Sequence, residues 1–265
     1  MSALTQDRIS DRHTVRPSST LTLTRSSYRA YVRDKASLFF TFAFPLAFLA
    51  LFGATYRGES LEGRPYVQYI ASGVLSWGVA NAAVFGTAFT LMQWRRDDLL
   101  RLIRLTPTRL PVVLASRLLI TLGIAACQVA LFVGVAMLPT FGLRPASTWP
   151  LLVPALVCGV TAFLAVGGLI GTFAETPEAV AAVSNLVMVP MAFLSGAFIP
   201  LAAMPEYLQD ISRLLPLRYL NDATMAALNG DDAATTVANC CLVLLGTALV
   251  LSLVLLRVFR WSARR

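Results

Sequence analysis

Residues 195–230 read SGAFIPLAAMPEYLQDISRLLPLRYLNDATMAALNG, a stretch too interrupted by proline to cross a bilayer as one helix and too apolar for a wet loop. Pro200 and Pro205 punctuate its start, and proline is tolerated in the first turn of a helix, where its missing N–H has no intrahelical partner. A short helix is therefore predicted from Glu206. Leu208, Ile211 and Leu215 recur at spacings of three and four and share one face, with Gln209, Asp210 and Arg213 directed elsewhere. Pro216 is expected to stop this helix. A second helix, from about Tyr219 to Leu228, carries Leu220, Thr224 and Leu228 on its inner face and ends at Asn229-Gly230 in a left-handed cap. Together they describe a helical hairpin that dips into one leaflet and returns.

Long apolar runs flank this hairpin. Of the 265 residues, 57% are hydrophobic and 14% charged, whereas a soluble domain carries about 25% charged residues. Apolar runs fall at about 38–56, 66–94, 112–138, 151–173, 179–199 and 237–259, near or beyond the roughly 20 residues that cross a hydrocarbon core. Alternating segments of the kind that build a membrane barrel are not seen. The chain therefore reads as an all-α integral membrane protein of six transmembrane helices, with the hairpin, about 200–230, before the last span.

Details inside the spans fit this reading. Pro45 falls in the first span, where neighbouring helices can re-satisfy the freed carbonyl. Asn81 is an amide near mid-depth of the second, a type of residue that binds helices together. Gly167 and Gly171 form a GxxxG pair that would permit close backbone packing. Arg117 lies near enough to one end of the third span to snorkel to the interface.

Charge gives the orientation. The net charge of +8 is almost all arginine, and its placement speaks of topology rather than of nucleic acid. Sixteen of the 22 basic residues fall in the N-terminal segment 1–37, the run 95–109 and the C-terminus, against five in the loops of the other side. Both termini are therefore expected in the cytoplasm and the hairpin outside. Residues 1–18 read as a polar tail. In 20–35, Leu21, Thr24, Tyr28, Tyr31 and Val32 can share one face with Arg25, Arg29 and Arg33 on another, the pattern of an interfacial helix, the alternative being a juxtamembrane extension of the first span.

Several chemistries lack their residues. The only lysine, Lys35, follows Val32-Arg33-Asp34 with no glycine, so a phosphate-binding P-loop is missing. All fourteen acids lie outside the span interiors, which argues against proton coupling at mid-membrane. Asp97-Asp98 and Asp231-Asp232 are adjacent pairs that do not face one another on a helix. Cys127, Cys158, Cys240 and Cys241 lack CxxC spacing, and His13 is the only histidine, so no metal site is expected. No catalytic site is expected in this chain.

The run S-G-x-F-I-P, then M-P, a short helix and L-P-L-R-Y resembles the signature of the ABC type-2 membrane subunits, the permeases of ATP-driven exporters. Within that family the chain looks most like the daunorubicin-resistance-type drug exporters. The resemblance implies a pair of re-entrant helices on the outer side, with Pro200, Pro205, Leu208, Ile211, Leu215, Pro216, Arg218 and Tyr219 forming a gate. It also implies a coupling helix at about 95–107 that presses into an ATPase subunit through Arg96, Asp97, Asp98, Leu99, Leu102, Ile103, Thr106 and Pro107. The acidic pair, leucines and T-P match the family loop, although the glycine often found after the acids is absent. Glu175 and Glu178, in the AETPE turn, would be a second contact.

A path between two permease copies, lined by the second and fifth spans, would offer Asn81, Phe85, Phe89, Asn185, Met188, Ala192 and Ser195 to a hydrophobic or amphipathic drug, antibiotic or lipid. The implied partners are two ATPase subunits holding Mg-ATP, a second permease copy or paralogue and membrane lipids, with no nucleic acid and no cofactor in this chain. The implied location is the bacterial cytoplasmic membrane. The alternative is a non-ABC membrane protein, an ion-coupled carrier or an assembly protein, with no ATPase partner.

Overall fold

The computed structural model describes residues 39–56, 60–61, 64–97, 110–230 and 232–258. The tail and interfacial helix expected in 1–37, most of the coupling helix and the last residues of the chain lie outside the described residues.

The first apolar segment is a five-residue π turn, Phe39–Ala43, running into α1, Phe44–Thr55. A two-residue antiparallel ladder follows, β1 Ser60–Leu61 against β2 Arg64–Pro65. The long α2, Tyr66–Arg96, has 31 residues, so at 1.5 Å per residue it is about 46 Å long and exceeds the hydrocarbon core. Then come α3, Leu110–Ala136, and α4, Leu152–Phe173, the latter entered through a 3₁₀ turn at Trp149–Leu151. α5 covers Pro177–Leu194, and the hairpin helices are α6, Glu206–Ser212, and α7, Pro216–Asn229. The last helix is α8, Ala233–Val258. Among the described residues, five helices (α2, α3, α4, α5 and α8) are long and apolar enough to cross a membrane, with a shorter apolar one at Thr41–Thr55. Apart from that short ladder the described fold is helical, and the expected first span is its short member.

Two boundaries depart from the sequence reading for identifiable reasons. α5 ends at Leu194 rather than near Ile199, because Gly196 takes φ +81, a left-handed turn that only glycine enters without strain. Pro216 opens α7 instead of closing α6: Leu215 is extended, and the proline stands at the start of α7, where its missing N–H costs nothing. α6 has already ended at Ser212. The other end of α7 matches the expectation, with Gly230 at φ +88 donating its N–H to the Ala226 carbonyl at 2.9 Å.

α2 and α4 are the central pair, and α7 packs against both and against α8. The hairpin is thus part of the core: Leu220, Thr224 and Leu228 are fully buried, as their spacing predicts. Gly167 and Gly171 of α4 lie against the backbone of α2, where an added Cβ would sit 2.5 Å from the Val84 carbonyl oxygen and 2.7 Å from that of Ala88. The GxxxG pair is therefore a contact surface. α3, α5 and α8 lie outside this centre and turn Leu119, Leu186, Leu242 and Leu249 outward, as suits helices whose outer faces meet lipid or another subunit.

Candidate functional site

At one end of the helices, α2 runs into the expected coupling segment. Arg96 and Asp97 are exposed there, while Asp98, Leu99, Leu102, Ile103, Thr106 and Pro107 fall outside the described residues. The turn between α4 and α5 lies at the same end, with Glu175 and Glu178 exposed. Thr176 caps α5, its hydroxyl oxygen accepting the Ala179 N–H at 3.2 Å. Arg95, next to Arg96, donates to the Ala174 carbonyl from which that turn begins, so the two loops lie side by side. Beside them a shallow apolar groove runs between α4 and α5, lined by Leu169, Ile170, Phe173 and Val183.

Arg95, the first of the basic run 95–109, is buried at 4% exposure. α2 continues through Arg96, and the Arg95 Nη1 donates to the carbonyl oxygens of Gly171 at 3.1 Å, of Thr172, and of Ala174 at 3.4 Å. These carbonyls close α4, where intrahelical donors run out and the helix dipole is negative. The clue in the sequence is that Val84, Ala88, Leu91 and Arg95 share one face of α2.

At the opposite end, the bend after α5 is held from two sides. The Gly196 carbonyl accepts from the Tyr69 hydroxyl of α2 and from Asn221 Nδ2 of α7 at 3.3 Å. Gly73 permits this approach, since a Cβ there would fall 1.8 Å from the Ala197 oxygen. Phe198 then enters an aromatic cluster with Phe48, Phe52, Trp77 and Phe193, at centroid distances of 5.4–6.1 Å. Tyr69, Gly73 and Asn221 escaped the sequence reading, because only the tertiary fold brings them to Gly196.

The proposed gate residues divide. Pro200 is half-buried, and Pro205 caps α6, its carbonyl accepting from the Leu208 N–H at 3.0 Å. Leu208 and Leu215 are half-buried, but Ile211 is 44% exposed and does not share their inward face. Ser212 is buried in its place: α6 is so short that its turn toward α7, rather than its apolar spacing, sets which side faces in. Pro216 is buried. Arg218 ties the corner, donating to Ser212 Oγ and to the Gln209 carbonyl at 3.2 Å while its Nε lies 3.6 Å from Asp222. The Tyr219 hydroxyl donates to the Arg213 carbonyl at 2.7 Å. The loop between α3 and α4 meets the far end of α7, where Ala146 N–H donates to the Leu228 carbonyl at 2.8 Å. Loop and hairpin therefore share the end opposite Arg95.

Between the two ends lie the residues expected along the path. Asn81, Phe85 and Phe89 are half-buried on α2, and the two rings are 6.0 Å apart. Asn185 is exposed, whereas Met188, Ala192 and Ser195 are buried inside the protomer and present no open surface. Asn185 is the ninth of the 18 residues of α5, hence at mid-helix.

The ABC-2 type transporter pattern matches residues 18–229. The chain belongs to the ABC-2 type transporter family. Among relatives of this ABC-2 chain, Nodulation protein J of Sinorhizobium fredii is 29% identical over 206 residues, 74% of the chain and 75% of that protein. The putative transport permease YvfS of Bacillus subtilis is 22% identical over 75% of the chain and 81% of its own length. The inner membrane transport permease YadH of Escherichia coli is 26% identical over 62% and 63%. Membership makes the ABC-2 chain a membrane transport permease, a multi-pass subunit of a family that pairs with ATPase subunits, and sets aside the non-ABC alternative. Among the described residues no group of three or more His, Cys, Asp or Glu side chains converges on a metal-sized site.

Proposed function

We propose that this ABC-2 permease exports a hydrophobic or amphipathic substrate, a drug, antibiotic or lipid of the kind handled by daunorubicin-resistance-type exporters. Two cytoplasmic ATPase subunits carrying Mg-ATP drive it, and the path runs between two permease copies. One observation carries the reading beyond family membership: the exposed amide of Asn185 at mid-height of α5. Among the described residues it has no hydrogen-bond partner. Leaving such a group in hydrocarbon costs roughly 2–7 kcal/mol, so this face is fitted to a second subunit and a wet or polar-lined path. Leu186, Val189 and Phe193 beside it supply apolar surface. Arg96, Asp97, Glu175 and Glu178, with the segment up to Pro107, receive the ATPase, and the hairpin of α6 and α7 gates the outer mouth.

Inside-out membrane vesicles test the proposal. ATP-dependent uptake of ethidium or of a fluorescent phospholipid is expected only when permease and ATPase are co-expressed. Failure of the two to co-purify, or ATP-independent uptake by the permease alone, would sink it.

A further inference from the structure

The buried end of α2 does more than cap a neighbouring helix. Val84, Ala88, Leu91 and Arg95 follow one another along a single face. The first three press against Gly167 and Gly171, and at Gly171 an added Cβ would already stand 3.0 Å from the Leu91 Cβ. Arg95 closes the seam by holding the carbonyls of Gly171, Thr172 and Ala174. Its charge is matched by the negative end of α4, and all three carbonyls gather around one terminal nitrogen, Nη1.

What leaves this knot matters. Two residues beyond Arg95, the Asp97 N–H makes the closing helical bond of α2 to the Gln93 carbonyl at 2.9 Å, and the proposed coupling segment begins. On the other side Ala174 opens the turn of Glu175 and Thr176 that starts α5. Both loops that would face the ATPase therefore spring from one buried guanidinium, and α5, which carries Asn185, follows directly.

Resting on the ATP-driven reading above, we propose that Arg95 is a positioning residue that makes the two loops one lever, so that a push on the segment after Arg96 is delivered through α4 to α5. Without it, the loop after α2 would still move while the turn before α5 lagged.

The test uses the permease purified with its ATPase subunit, in a Cys127→Ala background, carrying a spin label at the exposed Gln93→Cys on α2 or Ala182→Cys on α5. With Arg95 in place, trapping with ATP and vanadate is expected to shift the distance between the two permease copies at both sites. In Arg95→Gln the shift at residue 93 persists, and the shifted population at residue 182 falls about ten-fold, as loss of a charge-assisted hydrogen bond predicts. Arg95→Lys restores part of it and carries the test should Arg95→Gln fail to fold. A mere helix cap would lower the melting temperature yet leave both sites moving together, which overturns the inference alone. No nucleotide-dependent shift at either site in the wild type overturns the ATP-driven reading and the inference with it.

Discussion

Asp222 lies on α7, outside the spanning helices, and is the acid whose carboxyl stands furthest from ordinary surroundings among the described residues there. Burial in α7 raises its pKa from 3.8 to about 6, while the Arg218 guanidinium 3.6 Å away pulls in the opposite direction. The unfolded chain releases this proton near the ordinary value, so between the two values the folded protein binds more protons than the unfolded one. Stability is therefore gained as the pH falls through 6 toward 3.8, and the ionised carboxylate costs stability above that window. Asp222→Asn removes the titration and keeps an oxygen for Arg218. Melting curves of the purified protein from about pH 4 to about pH 7 should show the wild type losing stability relative to Asp222→Asn as the pH rises, with the gap complete near neutrality. Parallel curves would show that the carboxyl titrates as it does in the unfolded chain. The residue belongs to the corner that Arg218 builds from Ser212 and Gln209, so the same window should govern how firmly α6 is held.

At the scale of elements, the bend after α5 depends on how closely α2 can approach it. Gly73→Ala places a methyl 1.8 Å from the Ala197 oxygen, and that neighbour is backbone, which cannot rotate away. Overpacking of this kind costs about 1–3 kcal/mol. Gly246→Ala, on an open face of α8, should instead be neutral or gain up to about 1 kcal/mol from helix propensity. Thermal unfolding in detergent compares the two, and equal melting temperatures would refute the close contact. The span positions and the cap at Gly230 were legible because each rests on local chemistry: apolar runs bounded by charge, and a glycine after a helix. Pro216 is ambiguous in sequence because a proline ends one helix or begins another with the same residue, and the extended Leu215 decides between them. Arg95 was illegible for a different reason. A buried arginine and a solvated one look alike in a charge run, and only the end of α4 shows which it is. Tyr69 and Asn221 meet Gly196 across 127 and 25 residues of chain, contacts that no spacing rule reaches.

For the whole molecule, the proposed pairing turns on which outer face would meet a second copy. Lipid satisfies leucine on every outer helix, so apolar exposure alone does not choose. α5 differs by carrying Asn185 at mid-helix, Pro190 within the helix, and Leu186 at 74% exposure. The proline removes one backbone donor, and the amide asks for a partner that hydrocarbon does not give. In a twofold assembly each residue near the axis meets its own copy. Leu186→Cys in a Cys127→Ala background should therefore cross-link to itself when native membranes are oxidised, the remaining cysteines being buried or half-buried. Leu119→Cys, 65% exposed on α3, should stay monomeric under the same oxidation. Cross-linking through α3 and not through α5 would move the interface, and with it the proposed path, to the α3 face. That outcome would leave the family and the helical core untouched, because the seam of α2 on α4 lies within one protomer, whereas the proposed path would lie between two.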